Sequence, residues 1–197
     1  MKNLDLILLL ANSRKPRKPS GSRVRAYDDP LADTKSTVAF FGSIGCTVRA
    51  GFPGMPGSVN EDVMVEMRRL REAVEKIVET VVSTNEKGGN PSDALLYLAG
   101  ALGVLNGFSS ECPWIKALAP DMGIVETPVR FNPVGLLAAK CIEELAGGDL
   151  TRIKRCERPQ CGLFFYDTTR NRSARWHAEN PCGWRTRSGR RHKTSHG

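Results

Sequence analysis

Three cysteines and one histidine near the C-terminus have the types and the spacing of a metal site. Four residues separate Cys156 from Cys161, four separate His177 from Cys182, and fifteen lie between the two pairs. Each pair closes a small turn, so two pairs joined by a short loop can surround one tetrahedral zinc ion. Four protein ligands leave no open position for water, which favours a structural zinc over a catalytic one. The alternative is four unrelated residues, and the clustering of three of the 6 cysteines argues against it.

Both ligand pairs end in a cysteine followed by glycine, at Gly162 and Gly183. Glycine at such a position permits a tight backbone turn that points amide N–H groups at the thiolate sulfur. Between the pairs, GLFFYD predicts a strand, and NRSARWH predicts a short helix capped by Asn171 or Ser173. A module this small buries too little apolar surface to fold alone, so we expect zinc binding to supply much of its folding free energy. The residues expected to form a small core beneath the metal are Phe164, Phe165 and Trp176.

The positive charge of the chain is concentrated in the same segment. Residues 151–197 contain 12 Lys+Arg and 3 acidic residues, a surplus of +9, whereas the whole chain carries +8. Such an asymmetry predicts a module that faces a polyanion, with double-stranded DNA as the leading partner. The alternative is a disordered basic tail whose charge only keeps the protein soluble. The residues predicted to contact nucleic acid are Arg170, Asn171, Arg172, Arg175, Trp184, Arg185, Arg187, Arg190 and Arg191. The candidates among them for reading bases are Asn171, Trp184 and Arg185.

The first 150 residues predict the mainly helical domain, with a minor strand element, that positions this tail. The clearest helix spans residues 61–83 and has Asn60 as its N-cap. Its apolar residues repeat at intervals of four and three, which places them on one stripe. The spacing would also suit a coiled-coil seam, so a homodimer through this helix is an alternative, but fewer than three heptads favour packing inside the domain. The stripe comprises Val63, Met67, Leu70, Val74, Ile77 and Val81.

A second helix and a strand are predicted in the middle of the chain. The helix begins near Ser92 and ends near Asn106, and because it is apolar nearly all round we expect it at the centre of the core. Residues 123–131 are rich in β-branched residues and predict one strand, or one arm of a short hairpin. Pro128 favours an edge position for that strand.

The last helix of this domain has clear signals at both ends. Asn132 is its predicted N-cap, Pro133 occupies its first position, and Gly147 and Gly148 end it. Asp149 is then expected to cap a short turn that leads to the first cysteine ligand. The predicted buried face comprises Val134, Leu137, Ala138, Cys141 and Leu145.

Two segments rich in glycine, proline or basic residues are predicted to be irregular. They are residues 14–26 and residues 51–57. A short amphipathic helix is expected between them, with Pro30 near its start and Gly42 and Gly45 near its end.

Several classes of protein are disfavoured by what the sequence lacks. The apolar stretch LDLILLLA near the start contains Asp5 and has no small-residue cleavage pattern after it, so we expect no secretory signal. No apolar run approaches eighteen residues, and we therefore expect a cytoplasmic protein that does not span a membrane. A nucleophile elbow, a phosphate loop and paired carboxylates are all missing, so we expect no enzyme and no catalytic residues. Cys46, Cys112 and Cys141 are expected to be unreactive thiols.

The C-terminal stretch RCERPQCGLFFYDTTRNRSARWHAENPCGWR closely resembles the CGNR zinc finger. That family has a CGxxFxDxSRN-like centre, an RW pair before the third ligand and Cys-Gly-Asn-Arg at the fourth. Two positions differ from the family pattern. The third ligand, usually cysteine, is His177, and Trp184 replaces the asparagine of the family name. The resemblance implies a structural zinc finger in residues 151–197 with a basic tail.

Residues 1–150 resemble the ABATE domain, a stress-induced transcription regulator domain that commonly precedes the CGNR finger. LLLANS is similar to its LDxANT opening, with Leu9 where the family tends to have aspartate. RLREAV at 69–74 and AAKCIEELAGGDLTRIKRC at 138–156 also match, whereas residues 14–60 match poorly. The resemblance implies a zinc-binding transcriptional regulator that binds DNA. The alternative is a protein-interaction or ligand-sensing protein that uses the helical body, with the finger as a docking module.

Overall fold

Helices dominate the fold, as the sequence predicts, and a small module follows them at the C-terminus. A computed structural model describes residues 4–14, 29–43, 59–118, 120, 123–129 and 132–187. Residues 15–26 and 51–57, predicted to be irregular, lie outside these ranges. The helices are α1 Asp5–Asn12, α2 Thr34–Ser43, α3 Glu61–Glu86, α4 Pro91–Leu95, α5 Ala99–Ser110 and α6 Pro133–Gly147. The strands are β1 Trp114–Leu118, β2 Ile124–Pro128, β3 Ile153–Arg155 and β4 Phe164–Tyr166. We call the described residues up to 147 the helical body and residues 152–187 the C-terminal module.

Helix α3 is the centre of the helical body. Its N-cap is Asn60, as predicted, whose side-chain oxygen accepts a hydrogen bond from Val63 N at 3.0 Å. Helices α1, α4, α5 and α6 and strand β3 all pack against it. The predicted stripe is thus buried inside one chain, so a dimer through this helix would have to use another of its faces. The fully buried members of the stripe are Met67, Leu70, Val74, Ile77 and Val81.

The C-terminus of α3 is closed by backbone hydrogen bonds around two glycines. The helix continues to Glu86, three residues beyond the predicted end. Gly88 has a φ of +71°, a left-handed conformation that glycine adopts without strain. The amide of Gly89 donates to the carbonyl of Thr84 at 3.0 Å, which satisfies a carbonyl of the last turn.

A break interrupts the helix that the sequence predicts to begin near Ser92. The structure has two helices, α4 and α5, because three successive amides from Leu96 to Leu98 donate to carbonyls three residues back. This tight turn leaves Leu96 77% and Tyr97 88% exposed. Helix α5 is also buried on one face only, and it continues to Ser110. The prediction of a single, centrally buried helix was therefore wrong.

Helix α6 confirms the predicted caps and buried face. The side chain of Asn132 accepts hydrogen bonds from Val134 N at 2.9 Å and Gly135 N at 3.1 Å. Gly135 lies against α5, where an added Cβ would be 2.6 Å from the carbonyl oxygen of Phe108. Glycine at this position lets the two helices approach closely. The buried residues are Val134, Gly135, Leu137, Ala138 and Cys141, while Leu145 is partly buried.

Strands β1 and β2 form a two-stranded antiparallel sheet. Trp114 pairs with Pro128, and Leu118 pairs with Ile124. The strand predicted within residues 123–131 is therefore confirmed, and Pro128 occurs at a sheet edge as expected. Strand β2 is thus one arm of a hairpin, one of the two predicted alternatives, and β1 is the other arm, which the prediction did not place.

A carboxylate on α6 binds the N-terminus of helix α1 and joins the two helices. Glu144 accepts hydrogen bonds from the backbone amides of Leu6 at 3.1 Å and Ile7 at 3.0 Å. These amides have no partner within the first turn of the helix, and the negative charge also suits the helix dipole. The residue at the N-cap position, Leu4, offers no side-chain cap. None of the described helices is long and apolar enough to cross a membrane.

A buried arginine interrupts the otherwise apolar core around α3. The side chain of Arg71 is 1% exposed and forms a two-bond ion pair with Asp29, at 2.5 and 3.0 Å. Partial burial acts to raise the pKa of Asp29. The hydrogen bonds and the charge of Arg71, together with the hydrogen bond from the backbone amide of Leu31, outweigh it and hold this pKa below the usual range. The pair ties the segment before α2 to the central helix.

Candidate metal centre and nucleic-acid interface

The structure brings the four predicted ligands together. The ligand atoms of Cys156, Cys161, His177 and Cys182 all lie within 4.8 Å of one another. Cys161 Sγ and His177 Nδ1 are 3.4 Å apart. A tetrahedral zinc ion with bonds of about 2.0–2.3 Å sets its ligand atoms about 3.3–3.8 Å apart, so three sulfurs and one ring nitrogen at these distances fit one zinc ion.

The first ligand pair is held by a turn that begins directly after β3. The amide of Cys156 donates to the carbonyl of Leu163 at 2.8 Å, and the amide of Cys161 donates to the carbonyl of Arg158 at 2.8 Å. Gly162 has a φ of +63°, the left-handed conformation that glycine favours. The amide of Leu163 then donates to the sulfur of Cys161. The role predicted for this glycine is confirmed.

The second ligand pair is joined by a wide turn over Glu179–Gly183, and its glycine has a different role. Gly183 does not have the positive φ of Gly162, and its amide donates to the carbonyl of Ala178 at 3.3 Å, so this amide does not point at the thiolate as predicted. A Cβ at Gly183 would lie 2.5 Å from Glu179 Oε2 and 3.0 Å from the ring of Trp176. Glycine here makes room for these two side chains beside the ligand Cys182.

The protonation of the ligands depends on the metal. Burial, together with the nearby sulfurs of Cys156 and Cys182, raises the pKa of Cys161 to about 12. Burial also lowers the pKa of His177, which favours the neutral ring that binds metal ions. Zinc binds cysteine as thiolate, so its binding would release protons from this cluster.

A buried carboxylate, which the sequence reasoning missed, organises the loop between β4 and His177. Asp167 is 1% exposed and accepts hydrogen bonds from Lys154 Nζ at 2.6 Å, Thr169 N at 2.9 Å, Thr169 Oγ1 at 2.5 Å and Ala174 N at 3.0 Å. Burial alone would raise its pKa, but the hydrogen bonds from Lys154 and Thr169 outweigh it and lower the pKa to about 2. The signal in the sequence was an aspartate that directly follows the apolar strand.

The same network explains why the predicted helix over NRSARWH is absent. Residues 171–177 contain no helical residue, so the prediction was wrong. Arg172 has a φ of 51°, which a right-handed helix excludes. Its carbonyl, like that of Ala174, accepts a hydrogen bond from Lys154 Nζ. The loop is therefore folded around the ion pair of Lys154 and Asp167. These two side chains form hydrogen bonds with backbone groups that would be paired within a helix.

The predicted nucleic-acid contacts on this loop are exposed. Arg170 and Asn171 lie at its tip, and Arg170 forms no ion pair or hydrogen bond with the described part of the chain. Arg172 donates to Thr151 Oγ1 at 2.8 Å and to the Asp149 carboxylate at 3.2 Å. Asp149 also caps the turn at residues 150–152, as predicted, through Thr151 N.

Two further predicted arginines flank Trp176. Arg175 pairs with Glu157 at 2.5 Å, and Arg187 pairs with Glu179. The guanidinium carbon of each arginine lies 5.4 Å from the ring centroid of Trp176, a distance typical of a cation–π contact. The tryptophan ring therefore contacts two arginines that belong to different parts of the C-terminal module.

The remaining predicted contacts follow the last ligand. Residues 184–187 form one helical turn, on which Trp184 is 60% exposed and Arg185 is partly buried. The predicted contacts Arg190 and Arg191 lie outside the described residues.

The C-terminal module does not have the separate small core that the sequence predicted. Phe164 of β4 and Ile153 of β3 belong to the same buried cluster as the residues of α1 and α3. Phe165 is buried, whereas Trp176 is partly buried and is flanked by arginines. The hairpin β3–β4 is therefore packed on the helical body, and for Phe164 the prediction of a core beneath the metal was wrong.

Comparison with known proteins supports the metal centre. The family model of the CGNR zinc finger matches residues 152–194, a range that contains all four ligands. No curated protein matches the chain. The family match and the convergence of three cysteines and one histidine together identify a zinc finger at the C-terminus, with a site for one zinc ion.

Proposed function

We propose that the zinc finger binds double-stranded DNA and that the protein acts as a transcriptional regulator. The observation that carries this proposal is the location of the charge. The whole positive surplus of the chain lies in residues 151–197. A zinc ion at the four converging ligands would hold the described part of this segment, residues 151–187, in a defined surface. A dense positive charge on a fixed surface suits the phosphate backbone of DNA.

The exposed loop tip offers the most direct phosphate contact. Arg170 is exposed and carries a charge that no described carboxylate neutralises, so it can pair with a phosphate without first breaking an ion pair. Arg172, Arg175 and Arg187 are held by surface carboxylates. Surface ion pairs contribute only about 0–1 kcal/mol each, so exchange of a carboxylate for a phosphate is inexpensive.

Candidates for base contacts lie close in sequence to these arginines. Asn171 is exposed beside Arg170, and an asparagine side chain can form two hydrogen bonds with adenine. Trp184 is exposed on the helical turn after the last ligand, where its ring can stack or make apolar contacts. We propose that these two residues, together with Arg185, provide any sequence preference.

The remaining features of the proposal rest on the sequence. The resemblance of residues 1–150 to the ABATE domain supports a regulatory role for the helical body. A cytoplasmic location is consistent with reduced cysteine ligands. We propose no catalytic role, and the zinc is structural because four protein ligands fill its coordination sphere.

Binding to a random duplex at several salt concentrations tests the proposal. We expect the zinc-loaded protein to bind, with log K falling linearly as log salt rises. Arg170→Gln should weaken binding and reduce the slope by about 1, because one phosphate contact is lost. Lys140→Gln, an exposed charge change on α6, is the matched control and should leave both quantities unchanged. Absence of binding at low salt would overturn the proposal.

A second candidate function uses the helical body as a protein-interaction surface. The turn between α4 and α5 exposes Leu96 and Tyr97 almost completely, which is unusual for a large apolar pair. If a protein partner binds here, the Leu96→Ser/Tyr97→Ser double variant should lose that partner and have the same DNA affinity as the wild-type protein. Capture of a partner by the wild-type protein and not by this variant, together with no DNA binding by the wild-type protein, would favour this candidate.

A further inference from the structure

We propose that zinc occupancy controls the order of helix α1, through the hairpin β3–β4. This inference concerns the helical body and does not depend on DNA binding. Helix α1 has 8 residues, and isolated helices shorter than about 12–15 residues are marginal in water. Its stability must therefore come from its contacts with the rest of the chain.

The first contact is apolar. The buried cluster that contains Leu8, Ala11 and the other inward residues of α1 also contains Ile153 of β3 and Phe164 of β4. Ile153 is 0% exposed and Phe164 is 3% exposed, so the hairpin closes this side of the core. Movement of the hairpin would expose apolar surface on both partners.

The second contact is a pair of hydrogen bonds at the last residue of α1. The side chain of Asn12 donates to the carbonyl of Phe164 at 2.8 Å and accepts from the amide of Phe164 at 2.8 Å. The asparagine amide thus pairs with β4 in the way that a neighbouring strand would. On the other side, the side chain of Asn85 on α3 donates to the carbonyls of Leu150 at 2.9 Å and Ile153 at 3.0 Å.

The hairpin is in turn bounded by the metal ligands. Cys156 directly follows β3, and Cys161 lies three residues before β4. The hydrogen bond from Cys156 N to the carbonyl of Leu163 extends the pairing of the two strands to the metal site. A bound zinc ion would close the loop between the strands, because it joins both cysteines. Loss of the ion would leave strands of three residues each without that closure.

The geometry also predicts which parts of the body respond least. Helices α5 and α6 pack closely on each other through Gly135 and do not form the contacts with the hairpin that α1 and α3 form. The first turn of α1 is held by Glu144, so release is expected to begin at the opposite end, near Asn12. The response should therefore be graded from β4 to α1 and then to the rest of the body.

Amide hydrogen exchange of the full chain, before and after zinc removal by a chelator, tests this inference. We expect exchange in the hairpin and in α1 to accelerate by about tenfold or more, and exchange at the α5–α6 contact to change less. Loss of the helical circular dichroism signal of the whole chain on zinc removal would contradict the graded response, because the whole body would then unfold together with the hairpin. Unchanged exchange in α1, while exchange in the hairpin accelerates, would overturn the proposal.

Asn12→Ala tests the route while the metal stays bound. The variant should retain one zinc per chain, and α1 in its zinc-loaded form should exchange faster than in the wild-type protein but more slowly than in the chelated wild-type protein, because the apolar contact remains. The further effect of chelation on α1 should then be smaller than in the wild-type protein. Asn106→Ala, on the exposed face of α5, is the matched control and should behave as wild type. An Asn12→Ala variant with wild-type exchange in α1 and a wild-type response to chelation would contradict this route.

Discussion

The helical body and the zinc finger are stabilised by different forces. In the body, α3 is surrounded by apolar side chains, and Arg71 is its one buried charged residue among those described. In the finger, four metal ligands converge, and the loop that carries Arg170 is folded around the buried carboxylate of Asp167. Side-chain volume therefore matters most in the body, whereas the identity of single polar or ligating atoms matters most in the finger. Four sets of substitutions test this difference.

Loss of one ligand should have the largest effect. Cys161→Ser removes one of three thiolates, and we expect the zinc content to fall from one per chain to near zero, with loss of ordered structure in the finger. Metal analysis of the purified protein measures this. Cys112→Ser changes a buried cysteine of the body and should leave the zinc content at one per chain. Equal zinc content in the two variants would show that Cys161 is not a ligand.

A cavity in the body should have the next largest effect. Leu137 of α6 is 0% exposed, and Leu137→Ala should lower the free energy of unfolding by about 2–5 kcal/mol. Leu96→Ala is the same substitution at an exposed residue and should change it by less than about 0.5 kcal/mol. Denaturant unfolding of the zinc-loaded proteins measures both. The comparison of the two regions would be wrong if Leu137→Ala lost its zinc while remaining folded.

Removal of the buried charge in the finger should come third. The pKa of Asp167 is lowered to about 2 in the folded protein, from an ordinary value near 3.8, so the carboxylate stabilises the fold by about 2 kcal/mol at neutral pH. Asp167→Asn should lose this amount, because an amide cannot accept all the hydrogen bonds and leaves Lys154 without its counter-charge. The exposed substitution Asp93→Asn should have a smaller effect, below about 1 kcal/mol.

The pH dependence of this third effect has a definite sign. Because the folded pKa is depressed, the stabilisation is complete above the ordinary carboxyl pKa and is lost only as the pH falls from about 4 towards about 2. The difference between wild type and Asp167→Asn should therefore be the same at pH 6 and pH 8, where zinc stays bound. A difference that grows or shrinks between these two values would contradict the assignment.

Two glycines with positive φ provide the smallest and closest comparison. Gly88 ends α3 at +71°, and Gly162 lies between the ligand Cys161 and Leu163 at +63°, with open space at both Cβ positions. Alanine at either site should destabilise the chain by about 1 kcal/mol through backbone strain. In a competition with a chelator, we expect Gly162→Ala alone to weaken zinc binding, because it displaces the amide that donates to Cys161. Equal zinc affinity in the two variants would argue against that role.

The features that sequence alone predicted are those with local signals. The ligand set follows from the spacing of the cysteines and the histidine, and the starts of α3 and α6 follow from Asn60 and Asn132, whose side chains cap amides two or three residues ahead. The apolar stripe of α3 was likewise visible as a period. Each of these signals lies within a few turns of helix or within one chelate loop.

The features that were not predicted depend on contacts between distant residues. Asn12 and Phe164 are 152 positions apart, and Glu144 caps a helix whose amides lie 138 and 137 positions away. Asp167 appeared as one acidic residue in a basic segment, and only the fold brings Lys154 to it. The break at Leu96 was hidden because an apolar run indicates a helix without indicating which side faces the core. Local patterns do not contain this information.

Binding of duplex DNA by one preparation of the full chain, measured zinc-loaded, after zinc removal and after zinc is restored, tests the central claim most directly. That claim is that zinc folds the arginine-rich segment into the surface that binds nucleic acid. At roughly 0.15 M salt we expect zinc removal to weaken binding by about tenfold or more, and readdition of zinc to restore it. Equally tight binding by the zinc-free chain would contradict the account, because an unfolded basic tail would then be sufficient.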